Sequence, residues 1–324
     1  MSVLHSIREK HPAYGYALRR ILALVPVLLG VTFLTYGLMY LSPQDPVEMM
    51  LQGQGTAPAP EVVEAMRHQL GLDRPFLVQY VDWLSHFVRG DMGVSYLDGA
   101  PVAGKLLSAL PNTLKLTAAS VLVTVLFSLP LGVLTAVKQG KPVDISIRFL
   151  SFIGNSLPNY IVSLLLLYVL ALKLGWFPIL STGSWDSMVL PTLALPMTGK
   201  YIRQVRAAVL EQLKKSYVDG AYSRGLAPGI VLFSYVLRNA MTTILTLLSM
   251  SVGALLGGTA AIEVIFSLPG MGYMVTSAVT ARDYPVIQAF VVWMSVIYLL
   301  VNLLTDLFYF YMDPRIHAGM EGGS

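Results

Sequence analysis

The chain contains no cysteine. Disulfide frameworks, thiolate metal centres, iron–sulfur ligation and cysteine nucleophiles are excluded with it. Charge is scarce too. Asp, Glu, Lys and Arg make up 12% of the 324 residues, against 55% hydrophobic ones, whereas soluble domains carry about 25% charged residues. So little charge over such a length points to lipid as the solvent. Nucleotide and catalytic signatures are also missing. Gly104-Lys105, Gly140-Lys141 and Gly199-Lys200 are followed by Leu106, Pro142 and Tyr201 rather than by Ser or Thr, so there is no P-loop. Neither H-E-x-x-H nor G-x-S-x-G occurs. The net charge of +4 comes without a long basic run interleaved with aromatics, which argues against nucleic acid as a partner. His68 and His86 are too few and too far apart for a metal centre. The reading is no catalytic residue, no resident metal and no cofactor held by this chain.

What is present is apolar helix. Residues 21–41, 116–137, 149–172, 241–262 and 284–305 each run twenty or more residues without a charge, and about 20 helical residues cross a bilayer core. A sixth window, 188–210, is apolar at first and ends in Lys200, Arg203 and Arg206 at helical spacing. The expectation is an all-α, polytopic membrane protein with six transmembrane helices, kinked at Pro158, Pro191 and Pro196. The first window is longer than a signal-peptide core and LSPQDP offers no A-x-A cleavage site, so it reads as a retained anchor. With the N-terminus inside, fifteen of the 22 Lys and Arg fall on inside segments. The positive-inside rule then puts both termini in the cytoplasm.

Two regions outside the lipid are large: an external segment, 42–112, and an internal one, 200–238. In the external segment Asp73 is placed to cap a helix with Pro75 in its first turn. Leu77, Tyr80, Val81, Leu84 and Val88 give that helix one apolar face. The expectation is a small helical cap on the span ends, whose surface could also receive a soluble partner. Near the apolar windows only Glu263 and Asp306 are ionisable, each at a membrane edge. An intramembrane carboxylate is a functional hypothesis by default. Their edge position favours a structural hydrogen-bonding role, with gating as the other reading. Gly253-x-x-x-Gly257 would let membrane helices approach closely.

The internal segment holds YVDGAYSRGLAP, residues 217–228, a short polar helix between greasy neighbours. Ser216 is placed to cap it and Asp219 lies in its first turn. Arg224 falls in the last turn, Gly225 is a natural left-handed residue after the end, and Pro228 stops continuation. A helix this short is unstable alone. Gly220 and Ala221 remove bulk, so another body can come close, at a glycine cost near 1 kcal/mol. The plain alternative is a re-entrant connector packed on its own chain.

DGAYSRGL resembles the E-A-A-x-x-x-G loop of permease subunits from bacterial ABC importers. Asp219, Gly220, Ala221 and Gly225 fall on the motif positions, with Asp for Glu and Gly for the first Ala. ALRRILALVPVLLGVTFLTYGLMYLSPQDP, RGDMGVSYLDGAPV, EVIFSLPGMGYMVTSAVTARDYPVIQ and NLLTDLFYFYMDPRI resemble segments of the peptide/nickel branch of that family. The resemblance implies a type I importer permease fold over residues 17–316, after an N-terminal extension, 1–16, and before a tail, 317–324. It implies that Tyr217, Asp219, Gly220, Ala221, Tyr222, Arg224, Gly225 and Leu226 form a coupling helix that docks in a cleft on an ATPase. A second, similar permease, two cytoplasmic ATPases that bind the ATP and an external solute-binding protein are the implied partners, in the bacterial cytoplasmic (inner) membrane. The branch carries dipeptides, oligopeptides, opines, and nickel or other metals on small chelators. The short external connection GWFPILSTGSWDS and the stretch IRFLSFIGNSLPNY look most like nickel-type members. A self-contained secondary transporter is the competing class; its expected internal repeat is not found.

Overall fold

The computed structural model describes residues 12–41, 46–52, 59–195 and 198–312. The tail 317–324, Arg315, Pro196, the side chain of Asp306 and most of the 1–16 extension lie outside the described residues. The described residues are helical apart from their connections and one isolated bridge, Val94 to Pro101. In chain order the helices are α1 (Pro12–Tyr40), α2 (Pro46–Gln52), α3 (Pro60–Gln69), α4 (Phe76–Val88), α5 (Val102–Val137), α6 (Pro142–Ser156), α7 (Asn159–Leu166), α8 (Val189–Ala194), α9 (Thr198–Leu213), α10 (Ser216–Ser223), α11 (Pro228–Ile230), α12 (Leu237–Ile265), α13 (Met271–Ala281) and α14 (Tyr284–Met312). Wider π-type turns, Leu167–Lys173 and Val231–Val236, continue α7 and join α11 to α12.

Among the described residues four stretches are long and apolar enough to cross a bilayer: Arg20–Tyr40, Val102–Val137, Pro228–Ser249 and Tyr284–Thr305. A fifth is the pair Pro142–Ser156 and Asn159–Lys173, bent by 99°. The window 149–172 is therefore broken rather than kinked. Leu157 precedes a proline and takes an extended conformation, φ −87° and ψ 129°, because the α region is crowded before proline. Residues 188–210, expected as one helix, form the six-residue α8 and the separate α9. Apolar and basic halves are thus two elements.

Contacts divide the chain into two compact units, Met1–Thr113 with Pro269–Leu300, and Leu114–Leu268 with Val301–Ser324. In the first, Val102, Leu106 and Ala109 of α5 pack with Met271 and Ala278 of α13 and with Val286 and Ala289 of α14. In the second, one core gathers Leu190, Ala194 and Leu195 around α8 with Leu255, Ile262 and Phe266. The other joins Val205, Ala208 and Val209 of α9 to Val218, Ala221, Val231 and Val236.

Close helix approach in the second unit depends on Gly199 and Gly132. A Cβ at Gly199 would stand 2.5 Å from the Ser151 carbonyl oxygen, and one at Gly132 2.6 Å from Val205. Gly257 has open space around it, and its neighbour Gly258 is the residue facing Leu195. Two helix caps also differ from expectation. Pro75, not Asp73, precedes α4, and Lys215, not Ser216, precedes α10, neither with a side-chain cap. Proline at the start of α4 presets φ and needs no donor, so a capping carboxylate is dispensable there. Ser267 and Arg282 adopt φ of 51° and 58°, left-handed values that cost a non-glycine residue roughly 1–2 kcal/mol.

Candidate functional site

The internal helix α10 is fastened at both ends. Before it, Lys215 is extended at ψ 144°, and the Tyr217 hydroxyl donates to Gln212 Oε1 at 3.0 Å. After it, the Leu226 amide donates to the Ala221 carbonyl at 3.3 Å and the Gly225 amide to the Tyr222 carbonyl at 2.9 Å. With Gly225 at φ 78° this is the paired closure that a left-handed glycine permits. The expected role of Gly225 is what the backbone shows. Arg224 folds back, its Nε donating to the Gly220 carbonyl at 3.2 Å.

The two faces of α10 differ. Val218 and Ala221 are buried among Val205, Ala208, Val209 and Val236, with Leu226 half-buried beside them. Burying Val218 contributes about 1.5–3 kcal/mol, which offsets the cost of Gly220 in the helix. Ala221 was expected to lighten the outward face; it lies at 0% exposure in the chain's own core. Its small side chain belongs to that core. Asp219, Gly220, Tyr222, Ser223, Arg224 and Gly225 are exposed, and nothing lies within 4 Å of a Cβ at Gly220. The outward surface is therefore a flat strip at Gly220 with a carboxylate and a guanidinium on its borders.

Behind this helix, α9 is held by a contact that the sequence reading passed over. Arg206 donates from Nε to Asp144 Oδ1 and from Nη2 to Asp144 Oδ2, both at 2.9 Å. Asp144 also accepts the Gly140 amide at 3.0 Å and lies 3.3 Å from Arg148. Arg206 thus turns inward, while Arg203 stays exposed. An acid in the first turn of α6, against the basic stripe of α9, was the available signal.

In the first unit two of the quoted segments meet. Ser95 donates to Asp283 Oδ2, and the Tyr96 amide donates to Asp283 Oδ1 at 3.0 Å. Lys105 Nζ reaches Ser95 Oγ at 2.9 Å and Asp98 at 2.8 Å. Hydrogen bonding from Lys105 holds the Asp98 carboxyl below its usual range. The Met271 amide donates to Thr113 Oγ1 and Asn112 to the Pro269 carbonyl. An open cleft of about 410 Å³ lies alongside, lined by Lys105, Asn112, Tyr273, Met274 and Ser277. Glu263 is fully buried at the end of α12; Gly253 is half-buried on the same helix. Among the described residues no group of three metal-binding side chains occurs.

The family model described as "Binding-protein-dependent transport system inner membrane component" matches residues 128–318, and the N-terminal model of the same system matches 14–117. The oligopeptide transport system permease AppB of Bacillus subtilis is 35% identical, over 93% of this chain and 99% of that protein. The metal-staphylopine import system permease CntB of Staphylococcus aureus is 35% identical, over 94% and 99%. The glutathione transport system permease GsiC of Escherichia coli is 33% identical, over 93% and 98%. The inward-facing methionine ABC transporter MetNI has the same fold in 64% of this chain and 96% of its own, with a TM-score of 0.56 at 17% identity. These matches remove the self-contained carrier from consideration. The chain belongs to the binding-protein-dependent transport system inner membrane components and is a multi-pass ABC importer permease of the peptide/nickel branch, not an enzyme.

Proposed function

We propose that this permease forms the translocation path with a second permease and that α10 docks on a cytoplasmic ATPase, one of two that power import. The observation that carries the reading is the asymmetry of α10. Its inner face is tied to the chain's own core, and its outer face at Gly220 is open and flanked by Asp219 and Arg224. A body pressed on that strip would push through Val218 and Ala221 on the Val231–Val236 turn that leads into α12, so ATPase movement reaches the membrane helices. A docking helix requires α10 in the cytoplasm, in keeping with the basic-residue asymmetry and with both termini inside. An external solute-binding protein would deliver cargo to the opposite side.

For the cargo we propose a metal, nickel or another, carried as a small chelator complex. The likeness to a permease named for metal-staphylopine import supports this. Dipeptide or oligopeptide import by the same mechanism is the second reading, favoured by relatives named for oligopeptide, dipeptide and glutathione transport. The test is uptake in a strain lacking this gene, with and without its restoration, offered radiolabelled nickel with histidine or a radiolabelled dipeptide. Restored nickel uptake supports the first reading and restored dipeptide uptake the second. Topology is tested by reporter fusions: a cytoplasmic signal is expected at Gly140 and an external one at Ser184. The reverse pair would remove α10 from the ATPase side.

A further inference from the structure

We infer that α4, counted by its sequence among the external residues, lies in the outer leaflet with its free apolar flank against lipid acyl chains. The inference rests on α1 crossing the bilayer. Helix α4 packs along the side of α1, not on its end. Phe76 touches Tyr40, Tyr36 and Phe33 at ring-centroid distances of 5.1, 5.9 and 5.4 Å. Tyr80 goes further down. Its ring stands 5.3 Å from that of Phe33, its hydroxyl lies 2.9 Å from Thr32 Oγ1, and it reaches the Leu29 carbonyl at 3.4 Å. Thr32 is eight residues before the end of α1, about 12 Å down the helix at 1.5 Å per residue. A hydrocarbon core is about 30 Å thick, so the Tyr80 ring sits at acyl-chain depth. Its hydroxyl is satisfied there by protein, as a buried tyrosine needs.

The rest of α4 sorts by angle around its axis. Phe76, Tyr80 and Trp83 share the stripe turned to α1, and Phe87 next along it packs against the core of Val102, Leu106 and Met271. The next flank carries Leu77, Val81, Leu84 and Val88, three of them 63%, 62% and 78% exposed at Leu77, Val81 and Val88. The far flank carries Asp82, Ser85 and His86 with Val78 among them, and Asp82, His86 and Val78 are exposed. A helix wholly in water has no use for a second apolar flank, and one wholly in lipid could not leave Asp82 and His86 exposed. Apolar on one side and polar on the other is the layout of a helix lying in the membrane interface. The span of α1 is only 11% buried within the chain, so the apolar flank of α4 continues an apolar surface that this chain leaves uncovered.

The chain has no native cysteine, so single cysteines at Leu77, Val81, Val88, Asp82 and His86 can carry a spin label in the full-length, assembled transporter. In nanodiscs of phosphatidylcholine and phosphatidylglycerol, collision with oxygen is compared with collision with chromium oxalate. The ratio is expected to be at least several-fold higher at 77, 81 and 88 than at 82 and 86. Equal aqueous access on both flanks would place α4 in water and overturn the inference. Protection of 77, 81 and 88 from both reagents would show a protein neighbour on that flank and overturn it as well. The three apolar positions are read independently, so loss of one variant leaves the comparison intact.

Discussion

Arg206 and Asp144 are joined by two parallel hydrogen bonds, Nε to Oδ1 and Nη2 to Oδ2, across 62 residues of sequence. The pair clamps α9 to the start of α6. Removing one member of a buried pair costs about 3–5 kcal/mol, because the other charge is left without its partner. Asp144→Ala is therefore expected to lower the melting temperature in detergent markedly and to reduce accumulation in membranes. Arg206→Lys should rescue little, since an ammonium cannot reproduce the paired geometry. Wild-type melting of Asp144→Ala would show that the clamp is dispensable.

Glycine at 199 and at 132 is a steric requirement, whereas at 257 it is not. Gly199→Ala sets a methyl 2.5 Å from the Ser151 carbonyl and Gly132→Ala one 2.6 Å from Val205. Overpacking of this kind costs typically 1–3 kcal/mol. Both variants should melt earlier than wild type, while Gly257→Ala should melt with it. Uptake by Gly257→Ala then reports whether that open face meets another subunit. Normal melting of Gly199→Ala would show that α6 can shift away at no cost.

Neighbouring positions in α10 should fail for different reasons. Gly220→Trp projects into open space, so the chain should melt normally, lose co-purification of the ATPase and lose uptake. Ala221→Trp enters a filled core and should lower the melting temperature of the chain by itself. Gly225→Val forces a branched residue to a positive φ and should also destabilise. If Gly220→Trp assembles and transports normally, α10 is a connector and docking lies elsewhere.

The Asp98–Lys105 pair predicts a pH dependence with a definite sign. Lys105 depresses the Asp98 carboxyl, so the folded protein holds that proton less tightly than the unfolded chain does. The stabilisation is present above the ordinary carboxylate range, near pH 4, and is lost as pH falls through the lower folded value. Asp98 is half-exposed, so the effect is small, of order 0.2–1 kcal/mol. Asp98→Asn should melt slightly below wild type from pH 8 to 5, and the gap should close in acid. A gap that widens in acid would give the pair the opposite sign.

The short helix α10 was legible because its signals are local. Asp219, Gly225 and Pro228 act on backbone a few residues away, and the left-handed Gly225 is where the pattern puts it. The direction of Ala221 was not legible. Whether a small residue faces a core or a partner depends on distant residues such as Val205, Val209 and Val236, which only the folded chain gathers into one core with it. The Asp144 clamp was missed for the same reason, since an acid in a first turn has an ordinary local explanation. Composition sufficed for all-α and membrane-spanning, because in lipid each backbone donor must find its acceptor within its own helix. Length alone could not divide 149–172 or 188–210 into separate helices.

The sequence by itself determined which segments are apolar enough to enter lipid, that the internal helix ends before Gly225, and that no phosphate-binding loop is present. Each follows from a residue's own chemistry: a side chain's transfer from water, a proline's missing donor, a glycine's freedom at positive φ. Tertiary structure decided what each helix face meets. It turned Tyr80 into the side of α1 and left Val81 and Val88 bare, placed Asp283 under Ser95, and seated Gly199 against Ser151 instead of placing Gly257 at a contact. Packing depends on the sum of contacts from distant segments, and helical periodicity states which residues share a face without stating what stands opposite.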